Sequence, residues 1–292
     1  SPGWIKYMET FYPDLAEYVS TAKSPMSMFG VLSKTYYAQK KDINPANIVS
    51  VAIMPCTAKK FEANRPELSD SGYQDTDYVL TTREFIRLIK EAGIDFKNLE
   101  EQEPDEGMSF YTGAGTIFGT TGGVMEAAIR SAYTLITGQE LEHIDITQVR
   151  GFEGVREGEV EIPGFGMLRV AVAHGTGNAQ ELMDKVRKQI KENGKSEYHF
   201  IEIMACPGGC VGGGGQPRGN TMKKRQVRAN ALYTEDKNMK FRKSHHNPEV
   251  MKVYEEYLGE PNSSLAQKLL HTNYFERSQI NGKVIREKTH KH

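Results

Sequence analysis

The stretch that most constrains this chain runs from Met204 to Pro217 and reads MACPGGCVGGGGQP. It holds Cys206 and Cys210, two of the three cysteines, among six glycines. A glycine run is ordinarily a flexible linker. A bulky anionic cluster, however, needs close backbone approach and amide N–H groups, and glycine permits both. The two thiols among these glycines therefore favour a cluster-binding loop over a linker.

The third cysteine follows the same local pattern. Cys56 closes NIVSVAIMPC and Cys206 closes YHFIEIMAC, and both segments are rich in apolar, β-forming residues. Ligands in open α/β sheets lie beyond the carboxyl ends of the strands, so we expect the two strand ends to converge on one group. Thiolates with no histidine nearby in sequence favour an iron–sulfur cluster over zinc. Taken alone, Cys56 would be a small buried hydrophobe.

Composition excludes several classes of protein. Lys and Arg number 37 against 38 Asp and Glu, so charge gives no reason to expect nucleic acid or a membrane surface as a partner. No apolar run is long enough for a membrane span, and there is no signal-peptide pattern. Three cysteines are too few for a disulfide framework and indicate a reducing, cytoplasmic location. Because the chain starts at Ser1 without a methionine, we expect it to be part of a longer polypeptide.

Alternating helix and strand patterns predict an α/β fold of mixed α+β layers. Helices are expected before Pro13 and after the Ser24–Pro25 cap, and Thr82 is expected to cap REFIRLIKEAG. A glycine-rich loop leads into the helix that follows GTTGG, and the region from TMKKRQVRANALY to SSLAQKLLHTNYF is predicted to be helical. Strands are expected in NIVSVAIMPC, DYVLTT, GFEGVREGEVEI, LRVAVAHG and YHFIEIMAC.

Two motifs resemble a known family. MPCTAKKFE and EIMACPGGCVGGGGQP resemble the second and third signature motifs of the iron–iron hydrogenases, and SPGW resembles the end of the first. The likeness extends along essentially the whole chain, including AKSPMSMFG and GAGTIFGTTGGVMEA. It implies that residues 1–292 are the H-cluster catalytic domain without its N-terminal part, built as two lobes of mixed sheet flanked by helices with the cluster between them. The implied reaction is the reversible conversion of two protons and two electrons to dihydrogen.

The resemblance also implies roles for individual residues. Cys56, Cys206 and Cys210 would be ligands of a 4Fe-4S cluster, and Cys210 would bridge to a two-iron subcluster that carries carbon monoxide, cyanide and an azadithiolate. Lys59 would hold an iron-bound cyanide through a charge-assisted hydrogen bond. By its position alone, Lys59 would be an ordinary exposed lysine.

The remaining implied residues surround the two-iron subcluster. Met54, Met204 and Phe118 would shape the pocket, although the methionines by themselves are typical core residues. Glu62 and Ser20 would belong to a proton path. Without the resemblance, Glu62 would be a surface carboxylate paired with a lysine.

One departure from the family pattern leaves alternatives open. Ser1 stands where the family has a cluster cysteine, and a serine oxygen is a poor ligand for iron–sulfur, so the fourth ligand is undetermined. A non-catalytic iron–sulfur carrier or assembly relative and a sensory homologue are the alternative functions. The presence of Lys59, Glu62 and the two methionines favours the hydrogenase. The partners implied are ferredoxin or another iron–sulfur electron-transfer subunit or domain, the N-terminal part of the catalytic domain, and maturation proteins.

Overall fold

The computed structural model describes residues 1–141, 143–280 and 283–286. Helices and strands alternate along these residues, as the sequence predicted. The helices are α1 Pro2–Phe11, α2 Pro25–Leu32, α3 Ala38–Lys40, α4 Ala58–Ala63, α5 Thr82–Glu91, α6 Gly113–Ile117, α7 Gly123–Thr137, α8 Thr176–Asn193, α9 Met222–Asn238, α10 Pro248–Val253 and α11 Ser264–Leu270.

Seven strands form three sheets among these residues. Strands β1 Val51–Met54 and β2 Tyr78–Thr81 are parallel. Strand β4 Gly166–His174 lies between β3 Val155–Ile162, which is antiparallel to it, and β5 Phe200–Met204, which is parallel to it. The third sheet is the antiparallel pair β6 Ser278–Ile280 and β7 Lys283–Arg286, for which the sequence analysis had assigned no element.

The main core forms on both faces of β4. Successive side chains of a strand point to opposite faces of the sheet. Ala171 and Ala173 accordingly pack with residues of α1 and α8, whereas Val170 and Val172 pack with residues of α7. Helices therefore cover this sheet on both sides, which explains why its central strand is apolar without alternation.

Helix boundaries follow their local signals, with one correction. Helix α1 ends before Pro13, and the Ser24 hydroxyl accepts from the Ser27 backbone N–H at the start of α2. The predicted cap Thr82 is wrong, because the N-cap of α5 is Thr81. Thr81 still has the extended backbone that an N-cap requires, and it forms a capping box with Glu84, whereas Thr82 is already helical.

No helix in the described part of the chain combines the length and the apolar character needed to cross a bilayer.

Candidate metal centre

The turn that carries Cys56 packs directly against the glycine-rich loop. Cys56 lies two residues beyond β1, and Cys206 lies two residues beyond β5. The Gly215 backbone N–H donates to the Pro55 carbonyl at 3.0 Å. This contact brings the ends of two different sheets together at the three cysteines, as expected for strand ends that share a ligand.

Close backbone approach explains the glycines in the loop. A Cβ on Gly213 would lie 1.9 Å from the Pro55 carbonyl oxygen, and one on Gly212 would lie 1.9 Å from the Pro207 carbonyl oxygen. Gly209 has φ +88°, and a Cβ there would lie 2.6 Å from the Thr121 nitrogen. A side chain at Gly213 would push the loop away from the Cys56 turn, and one at Gly212 or Gly209 would distort the loop itself or its contact with Thr121.

The three sulfurs form a donor set suited to an iron–sulfur cluster, whose iron–sulfide core is cationic although the core together with its thiolate ligands is anionic. All three cysteines are free and partly buried. Burial raises the pKa of the Cys206 and Cys210 thiols, and the proximity of Cys56 raises both further. Thiolates at this site therefore need a positive partner, which a metal cluster supplies when it binds.

Arg225 adds a positive group beside this loop. Its Nε is buried and has no hydrogen-bond partner among the described residues. The same atom lies 3.2 Å from where a Cβ of Gly212 would be. A buried donor without a partner requires an explanation, and an anionic group held in the loop would provide one. The thiols, the glycines and Arg225 thus fit an iron–sulfur cluster.

Lys59 and Glu62 form a buried ion pair on α4. The Lys59 ammonium lies 2.9 Å from Glu62 Oε2, and the side chains are 13% and 9% exposed. Ser27 donates to Glu62 Oε1 at 3.0 Å, and Ser24 also donates to that oxygen. Burial opposes ionisation of Glu62, but the Lys59 charge and the Ser24 hydrogen bond outweigh it and lower the pKa of the carboxyl. The pair fixes the Lys59 ammonium, whose charge favours the thiolate form of Cys210.

Three of the other predicted residues lie on segments that contact the cysteine loop or the Cys56 turn. Met204 is the buried last residue of β5, and Met54 ends β1 and packs against a small core of α2, α4 and β2 residues. Phe118 follows α6, and the carbonyl of the next residue, Gly119, accepts from the Val211 backbone N–H at 2.9 Å.

Ser1, which replaces the family's cluster cysteine, and Ser20, which was predicted for the proton path, differ in position. The Ser1 hydroxyl accepts from the Ala205 backbone N–H at 3.2 Å, directly beside Cys206. Ser20 is exposed, and its hydroxyl accepts from the Ala22 backbone N–H at 3.4 Å. The hydroxyls that contact Glu62 are instead those of Ser24 and Ser27.

Sequence reasoning also missed His174. Its Nδ1 accepts from the Gly208 backbone N–H at 3.1 Å, and its Nε2 lies 3.2 Å from the Phe152 carbonyl. Burial lowers the pKa of the imidazole, and these partners require a neutral ring with its proton on Nε2. A signal was present, because His174 closes the apolar strand LRVAVAHG much as the cysteines follow theirs.

The comparisons with known proteins agree with this geometry. Residues 1–214 match the family described as iron only hydrogenase large subunit, C-terminal domain, and residues 222–277 match iron hydrogenase small subunit. The chain belongs to the iron-only hydrogenase family. The resemblance read from the sequence is thereby confirmed.

The curated relatives include proteins named as hydrogenases and proteins named as iron–sulfur assembly components. The chain is 47% identical over 281 residues to the NADP-reducing hydrogenase subunit HndD of Solidesulfovibrio fructosivorans, covering 96% of this chain and 47% of that one. It is 34% identical over 289 residues to cytosolic iron-sulfur assembly component 3 of Rattus norvegicus, covering 96% and 59% respectively. The chain thus spans about half the length of the curated relatives it matches.

A solved structure supports the fold. The apo FeFe-hydrogenase HydA1 from Chlamydomonas reinhardtii matches with a TM-score of 0.78 and 43% identity over 94% of this chain and 74% of that chain. The predicted mixed α/β fold, with sheets flanked by helices, is confirmed. This iron-only hydrogenase homologue therefore shares its chain path with a solved relative.

Proposed function

We propose that this chain holds a 4Fe-4S cluster on Cys56, Cys206 and Cys210 and converts protons and electrons to dihydrogen at a linked two-iron subcluster. One observation carries the proposal: the Gly215 to Pro55 hydrogen bond holds the Cys56 turn against the cysteine loop. When bound, the two-iron unit with its carbon monoxide, cyanide and azadithiolate ligands would supply the redox and hydrogen-activating chemistry. The fourth ligand of the cluster is not assigned.

The protein contributes charge and shape to this site. Lys59 is held by Glu62 and would donate to an anionic ligand of the two-iron unit, because its ammonium is largely withdrawn from water. Met54, Met204 and Phe118 would exclude water from the pocket. Burial of an ammonium is favourable only beside a negative group, so Lys59 requires Glu62 before a ligand binds.

Proton movement is assigned to Glu62, with Ser20 kept as a prediction. Two serine hydroxyls, those of Ser24 and Ser27, contact the Glu62 carboxylate and extend the set of groups that could pass a proton. Because the pKa of Glu62 is lowered, the carboxylate is the resting form at neutral pH. It would therefore accept a proton only transiently.

The partners are assigned by chemistry. We propose ferredoxin or another iron–sulfur electron-transfer subunit or domain as the electron carrier, maturation proteins as the source of the two-iron unit, and the cytoplasm as the location. The exposed apolar face of the β1–β2 sheet, with Val51, Ile53 and Tyr78, would be covered by the N-terminal part of the catalytic domain.

The first test compares Lys59→Ala with Lys60→Ala. Lys60 is the neighbouring lysine, but it is exposed and pairs with Glu84, so it is a matched control. We expect Lys59→Ala to retain its 4Fe-4S cluster, as measured by iron content and electron paramagnetic resonance. The intensity of the infrared bands of iron-bound carbon monoxide and cyanide should fall at least about tenfold. Lys60→Ala should keep both signals and hydrogen production.

Two results would contradict the proposal at different points. Normal infrared bands and hydrogen production in Lys59→Ala would remove Lys59 from its role. Absence of those bands in fully matured, iron-replete wild-type protein would contradict catalysis. It would favour the second candidate function, an iron–sulfur carrier, to which the relative named as an assembly component points.

A further inference from the structure

A second group of ligand-type side chains lies away from the cysteines. Glu140 follows α7, and His245 and His246 lie in a single turn, Ser244–His246, between α9 and α10. One ligand atom from each of the three residues lies within 4.8 Å of the other two. The Glu140 Oε1 atom is the centre of the group, at 3.3 Å from His246 Nε2 and 3.9 Å from His245 Nε2.

The outer atoms of these side chains already have partners. Ser131 Oγ lies 3.0 Å from His245 Nδ1, and Lys243 contacts the other Glu140 oxygen, Oε2. Metal-binding histidines and carboxylates are usually held in this way by partners on their far atoms. Nε2 of His245 is therefore left facing Glu140 Oε1.

That nitrogen has no hydrogen bond. His245 Nε2 is shielded from solvent and lacks a hydrogen-bond partner among the described residues, because Glu140 at 3.9 Å is too distant. A buried imidazole nitrogen that lacks a hydrogen-bond partner and faces a carboxylate oxygen is a candidate metal ligand.

The spacing suits a small tetrahedral cation. Zinc binds imidazole nitrogen and carboxylate oxygen at about 2.0–2.2 Å, which places two ligand atoms of a tetrahedron about 3.3–3.6 Å apart. The 3.3 Å separation of His246 Nε2 and Glu140 Oε1 falls within this range, and the 3.9 Å separation requires only a small side-chain adjustment. We propose that Glu140, His245 and His246 form a zinc site, with water completing the coordination.

The position of the site suggests a structural role. Glu140 belongs to the region that matches the large subunit, residues 1–214, and both histidines belong to the region that matches the small subunit, residues 222–277. Zinc would therefore fasten the segment between α9 and α10 to the end of α7. The Lys243 to Glu140 contact already joins the same two segments, so zinc reinforces an existing junction.

The test is a zinc titration by calorimetry on the wild-type chain, Glu140→Gln, His246→Gln and the control His199→Gln. His199 is an exposed histidine directly before β5, and its Nδ1 accepts from the Arg169 backbone N–H. We expect Glu140→Gln and His246→Gln to bind one zinc fewer, or to bind it at least about tenfold more weakly, whereas His199→Gln matches wild type. All four proteins contain the same three cysteines, so any zinc bound by thiolates contributes equally to each titration.

Two further measurements separate the site from a folding defect. Hydrogen exchange should show zinc-dependent slowing in residues 241–247 of the wild type and of His199→Gln only. Ser131→Ala, which removes the partner of His245 Nδ1 and leaves all three ligands, should weaken zinc binding while keeping one equivalent. Equal zinc stoichiometry and affinity in wild type and His246→Gln, or exchange that does not respond to zinc, would overturn the proposal.

Discussion

The two sheets that lead to the cysteines differ in how they are covered. Strand β4 is buried on both faces from Val170 to His174, and Val172 is 1% exposed. Strand β1 is buried on one face only. Val51 in this strand is 54% exposed, although it is the same apolar residue type as Val172. Ala52 and Met54 on the other face of β1 pack against Met26, Ala63 and Val79.

The difference shows that the β3–β4–β5 region has a complete core and the β1–β2 region has half of one. An exposed apolar face of this kind marks an interaction site. The candidate metal centre lies where the two regions meet, so its Cys56 side rests on the less buried sheet. The close contacts of the loop glycines with Pro55 hold the Cys56 turn against the better-packed loop, which compensates for the smaller buried area of the β1–β2 sheet.

The largest expected effect comes from a charge in the complete core. Val172→Asp should reduce the free energy of unfolding by about 4 kcal/mol or more, because it buries a carboxylate without a partner. Val51→Asp should change it by less than about 0.5 kcal/mol. Urea unfolding of both variants measures the two changes in the free energy of unfolding. Similar losses would show that the outer face of β1 is covered after all.

A smaller difference should separate a buried ion pair from an exposed one. Arg130 is fully buried and contacts Glu126 at 2.6 Å and Asp236 at 2.8 Å, joining α7 to α9. Arg130→Met removes one arginine partner from each of these buried carboxylates, while Glu126 keeps Arg150 and Asp236 keeps Arg242. The lost charge-assisted hydrogen bonds should cost about 2–3 kcal/mol. Arg87→Met removes an exposed pair with Glu91 on α5, beside β1–β2, and should cost under about 0.5 kcal/mol.

Thermal unfolding of the two arginine variants, with secondary structure checked by circular dichroism, measures this difference. A cost for Arg87→Met close to that for Arg130→Met would contradict the contrast between the two regions.

The smallest effect is at the start of α5. The Thr81 backbone N–H, the Lys60 ammonium and the Thr81 hydroxyl lower the pKa of Glu84 to about 2. The folded state therefore gains stability that is complete above the ordinary glutamate pKa of about 4.3 and is lost as pH falls toward 2. Thr81→Ala should raise this pKa and reduce stability by about 1 kcal/mol.

Side-chain carbon NMR titration of Glu84 reports the shift directly. Thr221→Ala removes the corresponding cap of α9 and should leave the Glu84 titration unchanged. A Glu84 midpoint near 4.3 in the wild-type protein would show that the capping box does not hold the carboxylate.

Local features were predictable because they depend on neighbours in sequence. Pro13 and the Ser24 cap set helix ends, and the apolar runs before Cys56 and Cys206 were recognisable as strands. The N-cap of α5 was predicted one residue too late, at Thr82 instead of Thr81. Either of two adjacent threonines can cap a helix, and only the end of the preceding strand decides between them. His174 was missed although its strand was predicted.

Contacts between distant residues were not predictable in the same way. Ser24 and Ser27 reach Glu62 only because α2 packs on α4, and Arg225 reaches the cysteine loop from α9. The group of Glu140, His245 and His246 spans more than a hundred residues of chain. No periodic pattern encodes such pairs, because burial of whole faces decides which elements meet.

The amino-acid sequence alone determined the chemical types available: three thiols, a glycine loop, and strands that end beside them. It did so because backbone propensity and side-chain periodicity act over a few residues. Only the tertiary structure decided that the Pro55 carbonyl meets Gly215, and that one sheet is covered on two faces and the other on one. Those outcomes depend on which apolar surfaces remain to be removed from water once every element is formed.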